Sequence, residues 1–160
     1  MRTRIVLLGA LLVAGLAACG HSSSHAAAPH GTTAPAAPAN PAGIEVEQSS
    51  LGPILADADG HTLYAFVNDK GGTSSCTDQC IATWPALVSR QSIAAGTGVD
   101  TKLLSHTTRT EGSDQATYND WPLYYYVGDV GPGDVDGQGV DGVWFVVGAD
   151  GKLIKTIASS

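Results

Sequence analysis

The chain repeats itself. Displaced by 60 positions, Leu63-Tyr64-Ala65-Phe66-Val67-Asn68-Asp69 falls on Leu123-Tyr124-Tyr125-Tyr126-Val127-Gly128-Asp129. The same displacement sets Gly52 on Gly112 and Trp84 on Trp144, with no gap needed between them. Self-similarity at a fixed period constrains a fold more than local propensity does, because each copy must be the same supersecondary unit. Two units that each present an apolar face bury those faces against one another.

Each copy reads as strands. Ile44-Glu45-Val46-Glu47 alternates apolar and acidic residues, the period of a half-buried strand. Pro53 to Ala56, the turn cluster Asp57-Ala58-Asp59-Gly60 and the run His61 to Val67 form a hairpin signature. In the second copy Gln115 to Tyr118, the Asn119-Asp120 turn and Pro122 to Val127 do the same, and Val143 to Val147 with Lys152 to Ile157 make a last hairpin around Ala149-Asp150-Gly151. Helical spacing is absent apart from a short turn expected after Cys76. The expected fold is all-β: two tandem copies of a three- to four-stranded antiparallel unit, about 44–88 and 104–148 plus a C-terminal strand, packed as a sandwich or barrel-like domain.

Tyr64 and Phe66 share one strand face, as do Tyr124 and Tyr126, because side chains alternate. Leu63, Ala65 and Val67 make the opposite face apolar too, which places these strands centrally. Core packing accounts for the aromatic pairs; a ligand-stacking platform is the sharper alternative.

The N-terminal quarter cannot share that core. All ten aromatic residues lie between Tyr64 and Phe145. Arg2 and Arg4 precede the uncharged run Ile5 to Ala18, which has the form of a secretory signal. At about 14 residues that run is shorter than the roughly 20 that span a bilayer. It ends in Leu16-Ala17-Ala18-Cys19, which resembles the bacterial lipobox. The resemblance implies removal of residues 1–18 and a diacylglyceryl group on the Cys19 thiol. Two acyl chains of the palmitate kind anchor stably where one does not. Residues 19–43, rich in Ala and Pro, read as a disordered tether. His21, His25 and His30 in it are either solvated side chains or a loose metal-binding tract.

Charge narrows the partners. The formal net charge of −7 becomes about −9 once Arg2 and Arg4 are removed. Nucleic-acid affinity comes largely from Lys and Arg displacing counterions, so nucleic acid is excluded as a partner.

Few residues suggest chemistry. With Cys19 acylated, Cys76 and Cys80 remain, and in an exported chain an even remainder reads first as a disulfide. A reactive dithiol is the alternative, although the spacing differs from Cys-x-x-Cys. Asp129, Asp134, Asp136 and Asp141 crowd a glycine-rich stretch, which fits either a solvated acidic loop or a calcium loop, without an EF-hand's spacing. Asp69 and Asp129 end equivalent strands and are placed to cap turns by accepting backbone amides. His61 and His106 have no nucleophile spaced beside them, and Gly-x-Ser-x-Gly and phosphate-cradling motifs are absent.

The motif Tyr-x-aromatic-x-x-Asp, at Tyr64/Phe66/Asp69 and Tyr124/Tyr126/Asp129, together with Cys76-x-x-x-Cys80-x-x-x-Trp84-Pro85, Gly133-Asp134, Gly137-Gln138-Gly139 and Trp144, resembles the bacterial secreted-repeat lipoproteins common in actinobacteria. Ala86 stands where that family often has a second Pro. The resemblance implies a β-rich domain outside the cytoplasm, lipid-anchored on the extracytoplasmic face of the cell membrane, and it implies no activity. The expectation is a non-enzymatic module without cofactor that binds an envelope protein, glycan or small ligand through an exposed patch around the repeated tyrosines. A redox or metal-handling surface lipoprotein is the alternative.

Overall fold

The alternating segment and its turn form the first hairpin. β1 (Gly43–Ser49) and β2 (Gly52–Asp57) pair antiparallel from Ile44↔Asp57 to Ser49↔Gly52. Ser49 Oγ accepts the Leu51 amide at 3.1 Å, and Gly52 turns the chain at φ +94°, a region costly for a residue with a Cβ. A computed structural model of the protein describes residues 43–90 and 92–156. Cys19, the tether histidines and the signal segment lie outside the described residues.

Asp57 Oδ1 accepts the amides of Asp59 and His61, each at 2.9 Å, and so closes the turn into β3 (Tyr64–Phe66). The helical turn expected after Cys76 is α1 (Gln79–Thr83). β4 (Ala94–Ala95) runs parallel to β1, an exception to the antiparallel pattern expected. β5 (Leu104–Thr108), β6 (Asp114–Tyr118) and β7 (Trp121–Pro122) make a meander. Asn119 and Asp120 turn β6 into β7 with φ +49° and +63°, values these two residue types tolerate in two-residue hairpin turns. A 3₁₀ turn at Val140–Gly142 leads to β8 (Trp144–Val146), which pairs with β3. The result is all-β in three small sheets, β2-β1-β4, β3-β8 and β5-β6-β7, none closed into a barrel.

The two copies are interlocked rather than stacked. The Leu55 amide donates to Val147 O at 2.8 Å, and the Val147 amide to Leu63 O at 3.4 Å. The mirror contacts are Ala116 N–H to Leu87 O and Leu87 N–H to Leu123 O, both 2.9 Å. Each copy's last strand therefore completes the other copy's sheet. Tyr64 and Tyr124 exchange both backbone bonds, at 2.8 and 2.9 Å, and mark the pseudo-two-fold axis. These pairs also revise the uniform displacement. Leu55 corresponds to Ala116, 61 positions on, because the turn after β2 holds one residue more than the turn after β6.

The strand expected over Pro122 to Val127 is regular only at Trp121–Pro122. Beyond it Leu123, Tyr125 and Val127 still bond to residues 83–87. Pro85 occupies the place that Phe145 holds in β8, and proline has no N–H to complete the ladder. Alternation then divides the interior in two. Leu63, Ala65 and Leu123 join Ile44, Leu55 and Leu87 in an aliphatic core, while Tyr64 and Tyr124 enter an aromatic one with Trp84 and Trp144.

Candidate functional site

The repeated tyrosines and aspartates satisfy each other across the axis. Tyr64 Oη donates to Asp129 Oδ2 at 2.8 Å, and Tyr124 Oη donates to Asp69 Oδ2 at 2.6 Å. The second oxygen of each carboxylate caps its own turn: Asp69 Oδ1 accepts the Ser75 amide and hydroxyl at 2.7 Å, and Asp129 Oδ1 accepts the Asp136 amide at 3.0 Å. The sequence indicated the capping half of this role. It did not indicate that the partner tyrosine comes from the other copy.

Both tyrosines are fully buried. Burial first, and then the neighbouring carboxylate, pushes each phenol well above its ordinary value. Burial likewise raises the Asp129 carboxyl, against the opposing effect of the Tyr64 hydrogen bond. Tyr125 is held up in the same way, by burial and then by Asp57, whose Oδ2 accepts its hydroxyl at 3.0 Å. Tyr64 and Tyr124 are not part of an exposed patch. Their rings pack in the core, because both faces of their strands are covered.

Four rings form a column through that core. Phe66 stacks on Trp144 at 4.4 Å between centroids and Trp144 on Trp84 at 3.9 Å and 4° between planes, while Tyr126 lies 4.4 Å from Trp84 with its plane tilted by 30°. Tyr64 and Tyr124 meet the central indoles edge-on, at 5.4 and 5.2 Å. Gly137 lies against this group so closely that a Cβ there would sit 2.8 Å from Tyr64 Cζ and 2.9 Å from Trp84. The backbone reaches the rings only because residue 137 has no side chain.

One flank carries extra chemistry, with the cysteines and Ser74 from the first copy and Arg109, Glu111 and Gln115 from the second. Cys76 and Cys80 are joined as a disulfide, Cα to Cα 5.2 Å, the pairing that the even cysteine remainder led us to expect. Arg109, 7% exposed, donates to Cys76 O at 2.8 Å, to Ser74 Oγ at 2.8 Å and to Gln115 Oε1 at 2.7 Å. Its Nε bonds Glu111, holding that carboxyl down at about 2. Ser74 Oγ lies 2.7 Å from Tyr124 Oη. Since the phenol proton is committed to Asp69 and Ser74 already accepts from Arg109, Ser74 donates to the phenol oxygen. Sequence reasoning missed Arg109, Gln115, Ser74 and Ser75. The available signal was a break in the repeat: Gln115 is polar where its counterpart Ile54 is apolar.

The acidic stretch does not converge. Asp134 Oδ2 accepts the amides of Val130 and Gly131 at 2.9 and 2.8 Å, Asp129 is engaged by Tyr64, and Asp141 sits in the 3₁₀ turn at φ +52°. Among the described residues no three His, Cys, Asp or Glu side chains gather as metal ligands. His61 Nδ1 lies 3.4 Å from Asp57 Oδ1. His106, exposed on β5, lines an open groove of about 560 Å³ with Arg90, Ser92, Thr101 and Asp114. Every buried side-chain polar atom among the described residues has a hydrogen-bond partner. No helix among them is long and apolar enough to cross a membrane.

A family model described as a secreted repeat of unknown function matches residues 46–88 and 105–148, the two copies that the displacement aligns. No curated protein and no solved structure matches the chain. Two tandem matches covering more than half the sequence, on an interlocked pair of copies, make this chain a member of the secreted-repeat family Lipoprotein_15.

Proposed function

We propose that the protein is a lipid-anchored module on the extracytoplasmic face of the cell membrane, which binds an envelope component without transforming it. The observation that carries this reading is the fate of the repeated residues. Tyr64, Tyr124, Asp69 and Asp129 spend their polar atoms on each other and on local amides. The motif therefore builds a scaffold, and ligand contact falls to the surface the scaffold displays. The lipobox at Cys19 supports the anchor, and the net negative surface favours neutral or cationic partners over phosphate-rich ones.

Two measurements test it. Mature chain recovered from membranes is expected to begin at Cys19 and to carry diacylglyceryl mass, and Cys19→Ser is expected to leave the membrane fraction. An unmodified soluble chain from the wild type overturns the anchor. Cosedimentation with purified cell-wall glycan, followed by chromatography of that glycan, tests the binding half. Retention with the glycan intact supports it, while shortened glycan overturns the non-enzymatic reading.

A further inference from the structure

We propose that the aromatic column Phe66–Trp144–Trp84–Tyr126 is a one-electron oxidation site, which takes an electron vacancy from a small radical at its half-buried Tyr126 end and stores it on Tyr64 or Tyr124. The proposal stands apart from the anchoring and binding reading.

Three observations carry it. The first is continuity: successive centroids are 4.4, 3.9 and 4.4 Å apart, and the central pair is closer than the roughly 4.5–7 Å usual for aromatic pairs. Rings in van der Waals contact share a vacancy, so one formed at the partly buried Tyr126 reaches the indoles, while Phe66 caps the far end. The second is access, since Tyr126 is only partly buried while Trp84 and Trp144 are 4% and 3% exposed. The third is the proton. An oxidised phenol is a strong acid and must release its proton to an acceptor within hydrogen-bond distance. Tyr64 has Asp129 at 2.8 Å and Tyr124 has Asp69 at 2.6 Å, whereas Tyr118 donates to the Ala149 carbonyl, which cannot hold a proton. Packing accounts for buried rings. It does not require that the two fully buried phenols, which meet the indole pair edge-on, both carry a carboxylate base.

The oxidant is a peroxyl-class radical. It accepts one electron from the column and one proton from water, and leaves as the hydroperoxide with hydroxide as the other product. Tyr64 refills the indole pair with one electron, and its hydroxyl proton passes to Asp129 Oδ2. The protein then holds a neutral tyrosyl radical and a protonated carboxyl. A hydroquinone-class donor returns the electron, becoming a semiquinone as it loses a proton to water, and the Asp129 proton goes back to Tyr64.

Flash oxidation of the mature protein by photogenerated ruthenium(III) tris-bipyridyl, with the radical read by electron paramagnetic resonance and oxidised residues mapped by peptide mass spectrometry, tests the site. The expected signal is tyrosyl, with oxidation on Tyr64, Tyr124, Trp84 and Trp144. Trp121 is the built-in control, a more exposed indole packed against the aliphatic core instead. If oxidation falls first on Trp121, exposure alone decides and the proposal is overturned. Tyr64→Phe combined with Tyr124→Phe is expected to replace the tyrosyl signal by an indolyl one; an unchanged tyrosyl signal overturns it as well. The wild-type oxidation pattern decides between these outcomes even if that double variant fails to fold.

Discussion

Replacing Tyr124 by Phe removes one oxygen and leaves the ring in place, so the loss is confined to the bond across the axis to Asp69 and the bond from Ser74, which keeps Arg109 as a partner. Tyr124 Oη donates to Asp69 at 2.6 Å, and Asp69 is 3% exposed. A hydrogen bond to a charged group contributes about 1.5–3 kcal/mol, and water has little access to replace it here. Asp69 keeps the two Ser75 bonds on its other oxygen, which limits the loss. The expected cost of Tyr124→Phe is about 2–3 kcal/mol. The Tyr64→Phe change removes an equivalent bond of 2.8 Å, but Asp129 is only half-buried and water can take the vacant place. Its expected cost is about 1 kcal/mol. For a domain of this size the pair should lower Tm by roughly 10 °C and 4 °C respectively. Chemical denaturation of residues 43–156 with each variant, monitored by tryptophan fluorescence, measures both. Equal costs, or a larger one for Tyr64→Phe, would refute the argument that burial of the acceptor sets the value of the bond.

Other outcomes follow from the same geometry. Above about pH 10 unfolded tyrosines ionise while Tyr64, Tyr124 and Tyr125 remain protonated in the fold, so stability is lost as pH rises, by about 1.4 kcal/mol per pH unit for each. Phenolate absorbance of these three should appear together with unfolding in an alkaline titration, and ionisation of any of them in the native protein would count against it. Reduction of Cys76–Cys80 opens a loop of sequence separation 4 and should cost about 2 kcal/mol on the chain-entropy model. Urea melts with and without reductant test this, and coincident curves would contradict it. Fragments 43–90 and 92–156 should each be unfolded alone and regain β circular dichroism when mixed, because each lacks the strand that completes its sheet. A folded monomeric fragment would contradict the interlocked architecture.

Much of this was legible from the sequence. Period-2 alternation at Ile44 to Glu47, the Asp57–Gly60 turn and the Asn119-Asp120 turn all mark elements that form, because their signals are local. The displacement identified the residues that matter at the centre, Tyr64, Asp69, Trp84 and their counterparts. It could not show which copy each one serves, since a repeat pattern is the same whether copies stack or exchange strands. The ladder lost at Pro85 also depends on exchange, because only then does Pro85 face Tyr125. Arg109 was invisible for another reason. Its partners Ser74, Cys76 and Gln115 are distributed over more than 40 positions, and no spacing rule connects them.

The exchanged strands set a timetable for folding. Leu55 finds its backbone acceptor only at Val147, and Tyr64 finds its carboxylate only at Asp129. Chains dominated by such distant pairings fold slowly, because loop closure must precede any reward. An N-terminal repeat made first can close only its local β1–β2 hairpin, and the sheet beyond β2 waits for the strand around Val147 until nearly the whole chain exists. For a secreted chain that delay is useful: the segment that leads through a narrow translocation pore is the one least able to fold before it arrives.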